Sequence, residues 1–288
     1  MSGQRVYGCY VCPRACGVDR STKVGVCGAG DKARIAKIVD PFYYEEPCLG
    51  ELSAVFFSGC PLRCSYCQNV AISRAAVGQE YTDEQLAEVF DGIAGNNRAI
   101  DLVTPTHYLD QIERAAKLCK NASRFIYNTS GYETENGVER ASKFSDVFLT
   151  DFKYGEEDTA ARLSSARDYP TVAVKALVKM RYALADEWID NGTGERTLKR
   201  GLVVRHLVLP GEVKSSLTAL DMIKSAIGTD VTISIMSQFT PNGAGEPSRR
   251  LKKIEYKLIC EHAMKLGFTN GYFQDFDSAS TKYTPDFD

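Results

Sequence analysis

The sequence predicts an α/β chain built as a partial (β/α)6 parallel barrel, preceded by a small cysteine-rich segment that binds metal. Two patterns predict it. From about residue 53, short β-rich runs that are apolar almost throughout alternate with amphipathic stretches, as strands covered on both faces require. Polar residues recur at one end of these runs, which is the end where α/β folds place their sites. Strands alternating with helices imply right-handed crossovers, and six such units point to a barrel or an open section of one.

In chain order, residues 1–48 read as the cysteine-rich head and residues 49–288 as the barrel core with a C-terminal extension. The head places Cys9, Cys12, Cys16 and Cys27 in a Cys-x2-Cys-x3-Cys-x10-Cys pattern, with glycines that allow tight turns. Four thiolates so close predict a metal-stapled unit. Zinc and a second iron–sulfur cluster both take four thiolates, and the spacing leaves the choice open. The first strand is "AVFFSG", and "AIDLVTP", "RFIYNTS", "DVFLTDFKY", "GLVVRHLVLP", "VTISIMSQF" and "GYFQDF" follow as further strands. Thr82 opens a helix with Gln85 three residues on, the signature of a capping box. "HYLDQIERAAKLCK" reads as a second helix, and the last long one runs from Ser248 to a stop at Gly267.

Composition narrows the function. With 35 Lys and Arg against 37 acidic residues and no basic run, phosphate-rich partners are disfavoured, so no nucleic acid is expected. No apolar run has the length of a bilayer span and the start lacks a signal-peptide core, so a soluble, cytoplasmic chain without a membrane partner is expected. Ten cysteines in that setting point to metal ligands rather than disulfides. Cys119 and Cys260 sit in helical patterns and read as small core residues, while Cys48 stands alone between the two groups.

The loop "SGCPLRCSYCQN" leaves the first strand at its C-terminal end and carries Cys60, Cys64 and Cys67. A structural zinc site closes with four ligands. Three thiolates on a tight loop instead suit a cubane cluster with one iron left without a protein ligand, and Tyr66 adds an aromatic wall. This Cys-x3-Cys-x-aromatic-Cys loop resembles the signature of the radical S-adenosylmethionine (radical SAM) superfamily. The segments "LTDFKY" and "VVRHLVLPG" extend the resemblance to proteins similar to pyruvate formate-lyase activating enzyme. Within that group the chain is similar to an uncharacterised branch with a cysteine-rich head, over nearly its whole length from Cys9 to "YTPDFD".

The resemblance implies a [4Fe-4S] cluster on Cys60, Cys64 and Cys67 as the catalytic centre, with S-adenosylmethionine on the open iron. It implies reductive cleavage to a 5′-deoxyadenosyl radical that abstracts hydrogen from a substrate. Asp151 and Lys153 match an Asp-x-Lys pair beside the cofactor, Arg205 matches an arginine that contacts its polar groups, and Asn128 to Gly131, including Ser130, match a ribose- or substrate-binding segment. The activases carry a Gly-Gly-Glu-Pro turn after the second strand; here the chain reads "VTPTHY", and Thr104, Thr106 and His107 are the candidates to replace it. Gln238, at the end of the sixth strand, stands in a segment that lacks the histidine common in activases. His206 alternates with Arg205 and reads as structural, and His262 reads as a core or helix-dipole group on the stripe of Leu251, Ile254 and Leu258.

The implied partners are a flavodoxin or ferredoxin as electron donor, and a glycyl radical enzyme or a small-molecule substrate. A rival enzyme reading modifies a small molecule or peptide with an auxiliary cluster in the head. A non-enzymatic rival is an iron–sulfur or zinc module for electron transfer. Asp151, Lys153 and Arg205 weigh against it, because an electron carrier needs no polar groups converging beyond its cluster.

Overall fold

The computed structural model describes residues 8–43, 45–121, 124–190, 192, 196–243, 245–278 and 287. The terminal "YTPDFD" stretch therefore lies almost wholly outside the described residues.

After the cysteine-rich head, β1 (Ala33–Phe42) runs antiparallel to β2 (Leu52–Phe57), the first parallel strand. A short helix α1 (Val70–Ser73) and the edge strand β3 (Gln79–Tyr81) follow. Strand–helix units then succeed one another: α2 (Asp83–Gly95), β4 (Ala99–Val103), α3 (Leu109–Leu118), β5 (Phe125–Thr129), α4 (Glu135–Ala141) and β6 (Val147–Asp151). Helices α5 (Glu157–Ser164) and α6 (Tyr169–Ala183) and the hairpin strand β7 (Glu187–Asp190) precede β8 (Arg196–Leu207). The chain continues through α7 (Val213–Ile227), β9 (Thr232–Met236), α8 (Lys253–Leu266) and β10 (Gly271–Phe273).

Strands β2, β4, β5, β6, β8, β9 and β10 lie parallel, in sequence order across one sheet. Its edges are β10 and β3, so hydrogen bonds do not close it into a ring. This is the partial parallel barrel the apolar runs predict, and every quoted strand run overlaps one of the parallel strands. Each face is covered, as the near-absence of polar residues in mid-strand demands. Tyr127, Phe148, Leu202, Val204 and Ile233 pack against the helices. Ala54, Phe56, Ile126, Val147, Leu149 and Val203 fill the inner, concave side.

The same alternation sets the site. On β6, Val147 and Leu149 share the inner side with Asp151, and on β8 Val203 shares it with Arg205. The apolar inner floor thus gives way to a polar layer near the carboxyl ends of the strands. His206 takes the opposite side, fully buried with Nδ1 2.7 Å from the Phe152 carbonyl oxygen.

Three elements differ from the sequence expectation. The helix expected from Ser248 starts at Lys253, because the Glu255 carboxylate gathers the Lys252 N–H and the Arg249 guanidinium at 2.6–2.9 Å and fixes the first turn there. His262 is not a core residue: Nε2 lies 2.8 Å from Asp221 Oδ1 on α7, and Ile254 and Leu258 of its stripe face solvent. Residues 33–42, expected within the head, extend the sheet as β1.

Candidate functional site

The three-cysteine loop is held from several sides, so its side chains have fixed directions. Gly59 turns at φ 85°, and a side chain there would collide with the Cys27 carbonyl oxygen of the head. The Cys60 N–H donates to that same carbonyl at 3.1 Å. Arg14, between the head cysteines, donates to Pro61 O at 2.8 Å and to Ser165 O at 2.5 Å. Asn242 and Arg74 donate to carbonyls of Ser65, Cys67 and Cys64. Ser164 Oγ donates to Cys64 Sγ at 2.9 Å and Ser73 Oγ to Cys67 Sγ at 3.5 Å. Tyr66 is buried, its hydroxyl 2.6 Å from that of Tyr154 and its ring edge-on to Phe239.

Burial pushes the Cys60 and Cys67 thiols upward, and the neighbouring thiols add to it; Lys153 acts the other way. The resistance of Cys60 and Cys67 to ionisation is what a cationic metal centre would reverse, since coordination deprotonates a thiol outright. Among the described residues, no three His, Cys, Asp or Glu side chains close to the distance a single metal ion needs. The loop's three thiols line a cavity of about 490 Å³.

The same cavity gathers Thr104, Asn128, Ser130, Asp151, Lys153, Arg205 and Gln238. Lys153 Nζ lies 2.5 Å from Asp151 Oδ2, and Arg205 Nε lies 2.9 Å from Asp151 Oδ1. Despite burial, the two cations hold the Asp151 carboxyl below its usual range. Thr104 sits at φ 62°, a backbone conformation that costs a β-branched residue of order 1–3 kcal/mol and that clusters at functional sites. Phe56, Leu207, Met236 and Tyr272 form apolar walls.

Two expected cofactor residues lie elsewhere. Thr106 is buried behind the cavity wall, donating to Glu133 Oε1 at 2.5 Å. His107 is buried beside it, Nε2–H donating to Ser58 O at 2.8 Å, and burial lowers its pKa to about 4, so the ring is neutral. Neither lines the cavity. They brace the back of the loop: the Arg20 guanidinium of the head donates to the His107 carbonyl at 2.5 Å. Arg205, expected to clasp a cofactor's polar groups, spends its donors on protein, reaching Asp151, Glu45 Oε2 at 2.6 Å and Asn128 Oδ1 at 2.7 Å.

Glu45 and Glu46, from the strap between β1 and β2, line the cavity and were missed. So was Asp101, fully buried in β4, with Oδ2 3.2 Å from Asn128 Nδ2. Their signals were two adjacent acids before a proline, and one acid inside an otherwise apolar strand.

The head brings its four cysteines together. Cys16 and Cys27 both face Gly25, and the turns close through Cys9 N–H to Val18 O and Gly17 N–H to Cys9 O at 2.9 and 3.0 Å. Burial pushes the Cys12 thiol up to about 12 and raises Cys27. At Cys16 burial also acts upward, but hydrogen bonds from Val26, Val18 and the Cys9 side chain hold it down. Cys48 joins neither group and packs in the inner core.

Residues 49–164, which contain the three-cysteine loop and the strands through β6, match the family described as 4Fe-4S single cluster domain. The chain folds like a radical SAM methyltransferase from Sphaerobacter thermophilus, with a TM-score of 0.52 over 80% of this chain and 69% of that one, at 13% identity. The fold is shared with that radical SAM enzyme, and the family match spans the three-cysteine loop. It is 33% identical over 120 residues to the pyruvate formate-lyase-activating enzyme of Clostridium pasteurianum, across 38% of this chain and about half (48%) of that enzyme. It is also similar to an uncharacterised protein of Methanocaldococcus jannaschii, 25% identical over 279 residues, or 89% of this chain and 74% of the relative. Among the described residues, no helix is long and apolar enough to cross a membrane.

Proposed function

We propose that this chain is a radical SAM enzyme in which Cys60, Cys64 and Cys67 hold a [4Fe-4S] cluster, with S-adenosylmethionine and a substrate sharing the adjoining cavity. The observation that carries this reading is the convergence of the three thiols and the Asp151–Lys153 pair on one cavity at the carboxyl ends of the strands. When bound, the cluster and its cofactor supply one-electron reduction and hydrogen-atom abstraction.

The work of the chain's own residues is positional. Lys153, partly screened by Asp151, is the one ammonium facing the thiols among the cavity residues and suits a carboxylate of the cofactor. Thr104, Ser130 and Gln238 offer hydroxyl and amide groups to sugar or amino-acid atoms. Tyr66, Phe239 and Met236 shield the centre from water and from stray hydrogen donors. A flavodoxin or ferredoxin is the donor class that such chemistry calls for. The head's four gathered thiols are a ligand set for zinc or a second iron–sulfur cluster, and their spacing leaves the choice open.

Similarity to the Clostridium pasteurianum enzyme supports activation of a glycyl radical enzyme. A small-molecule or side-chain substrate is the second reading. The acidic cavity floor favours it, because the glycine of a peptide backbone carries no charge for that floor to meet. The test is anaerobic: reconstitute with iron and sulfide, add dithionite and S-adenosylmethionine, and quantify 5′-deoxyadenosine. The wild-type chain forms it and Cys64→Ala does not. Equal yields from both proteins, or none from the fully loaded wild type, contradict the reading.

A further inference from the structure

The cavity floor crowds carboxyl groups together, and burial pushes Glu45 well above its usual range and Asp101 up to about 7. Four carboxyl groups meet there (Glu45, Glu46, Asp101 and Asp151) beside two cations, Lys153 and Arg205. Both cations are already committed. Lys153 serves Asp151, while the Arg205 nitrogens are taken by Asp151, Glu45 and Asn128. The Asn128 amide is spent as well, with Nδ2 shared at 3.2 Å between Glu45 Oε1 and Asp101 Oδ2.

Two carboxylate oxygens are left over. Glu46 is only 8% exposed, yet its Oε2 has no hydrogen-bond partner; Arg205 NH1 stands 4.0 Å away and is directed to Glu45. Asp101 is fully buried and its Oδ1 is likewise unpartnered. A buried carboxyl oxygen without a partner is costly unless the group takes up a proton or a donor from a ligand reaches it. Glu46 lines the cavity itself. Above it the walls are Phe42, Phe56, Met236 and Tyr272, which suit a hydrocarbon stem.

We infer that the substrate is an organic cation, an ammonium or guanidinium group on an apolar stem, whose charge is received by Glu46. This rests on the reading of the cavity as a substrate chamber and adds the substrate's charge class to it. Glu46 then sets specificity: a carboxylate-bearing analogue meets repulsion at the floor, and a neutral one leaves the oxygen unpaired.

The experiment uses the reconstituted chain with S-adenosylmethionine bound, titrated by calorimetry with n-butylammonium, n-butanol and n-butyrate as matched probes. Only n-butylammonium binds, and Glu46→Gln, close in shape and without charge, weakens it about tenfold, or about 1.4 kcal/mol. Asp101→Asn serves as a second variant and weakens it in the same direction. Equal affinity for the three probes, or unchanged affinity in Glu46→Gln, overturns the proposal. Displacement of n-butylammonium by millimolar sodium or potassium overturns it too, in favour of an inorganic ion. Loss of S-adenosylmethionine affinity in Glu46→Gln without loss of probe binding assigns the carboxylate to the cofactor instead. Formation of 5′-deoxyadenosine by wild type, measured separately, distinguishes failure of this inference from failure of the enzyme reading.

Discussion

At Gly131 the chain turns at φ 76°, and a methyl group there would run into the Asp151 carbonyl oxygen. Gly131 thus sets the spacing between β5 and β6 where their polar ends meet the cavity. Gly131→Ala is expected to cost about 1–3 kcal/mol of stability through strain and the forced shift of Asp151. A denaturant midpoint equal to that of wild type contradicts this. At this scale the three loop cysteines stood out by type and spacing, whereas Asp151 and Lys153 came through the resemblance; all five line the cavity. Glu46 and Asp101 were not, because an isolated acid announces a site only once its neighbours show it unpaired. Thr106 and His107 looked like site residues from their place after β4. The chain enters a helical turn over Thr106–Tyr108 at once, and both side chains end up buried behind the wall instead.

Among the elements, α2 was the most readable. Thr82 Oγ1 accepts from the Gln85 N–H at 3.3 Å and the Gln85 side chain accepts from the Thr82 N–H at 2.9 Å, the reciprocal pair that the sequence spelled out. Thr82→Ala is expected to cost about 1 kcal/mol, read as a lowered thermal midpoint with S-adenosylmethionine affinity unchanged. A cofactor affinity that falls with it would place α2 in the site's support. The start of α8 was harder, since Ser248 satisfies the ordinary N-cap preference. What moved it was the long-range Gly211 N–H, which donates to Glu255 Oε1 at 2.9 Å and fixes the carboxylate that caps Lys252. β1 was hidden for a related reason. Its charged and apolar residues interleave, and only pairing with β2 and β3 makes it a strand.

Over the whole molecule, the parallel sheet was legible because strands buried on both faces leave little room for polar residues, and those that remain mark the site. The union of head and barrel was not legible. It depends on the Cys27 carbonyl meeting the Cys60 N–H, on Arg14 gripping Pro61 and Ser165, and on Arg20 lying over the Tyr108 ring at 5.6 Å. These contacts press the four-cysteine head against the three-cysteine loop, so the loop's geometry is set from both sides. The central claim is that this loop holds a cluster with one iron open to S-adenosylmethionine. Its most direct test is the electron paramagnetic resonance spectrum of the dithionite-reduced, reconstituted Cys9→Ser/Cys12→Ser variant, in which the head is disabled. The account predicts a [4Fe-4S]⁺ signal whose g-values shift when S-adenosylmethionine is added. A cluster signal that the cofactor leaves unchanged, or no cluster on the intact loop, would contradict it.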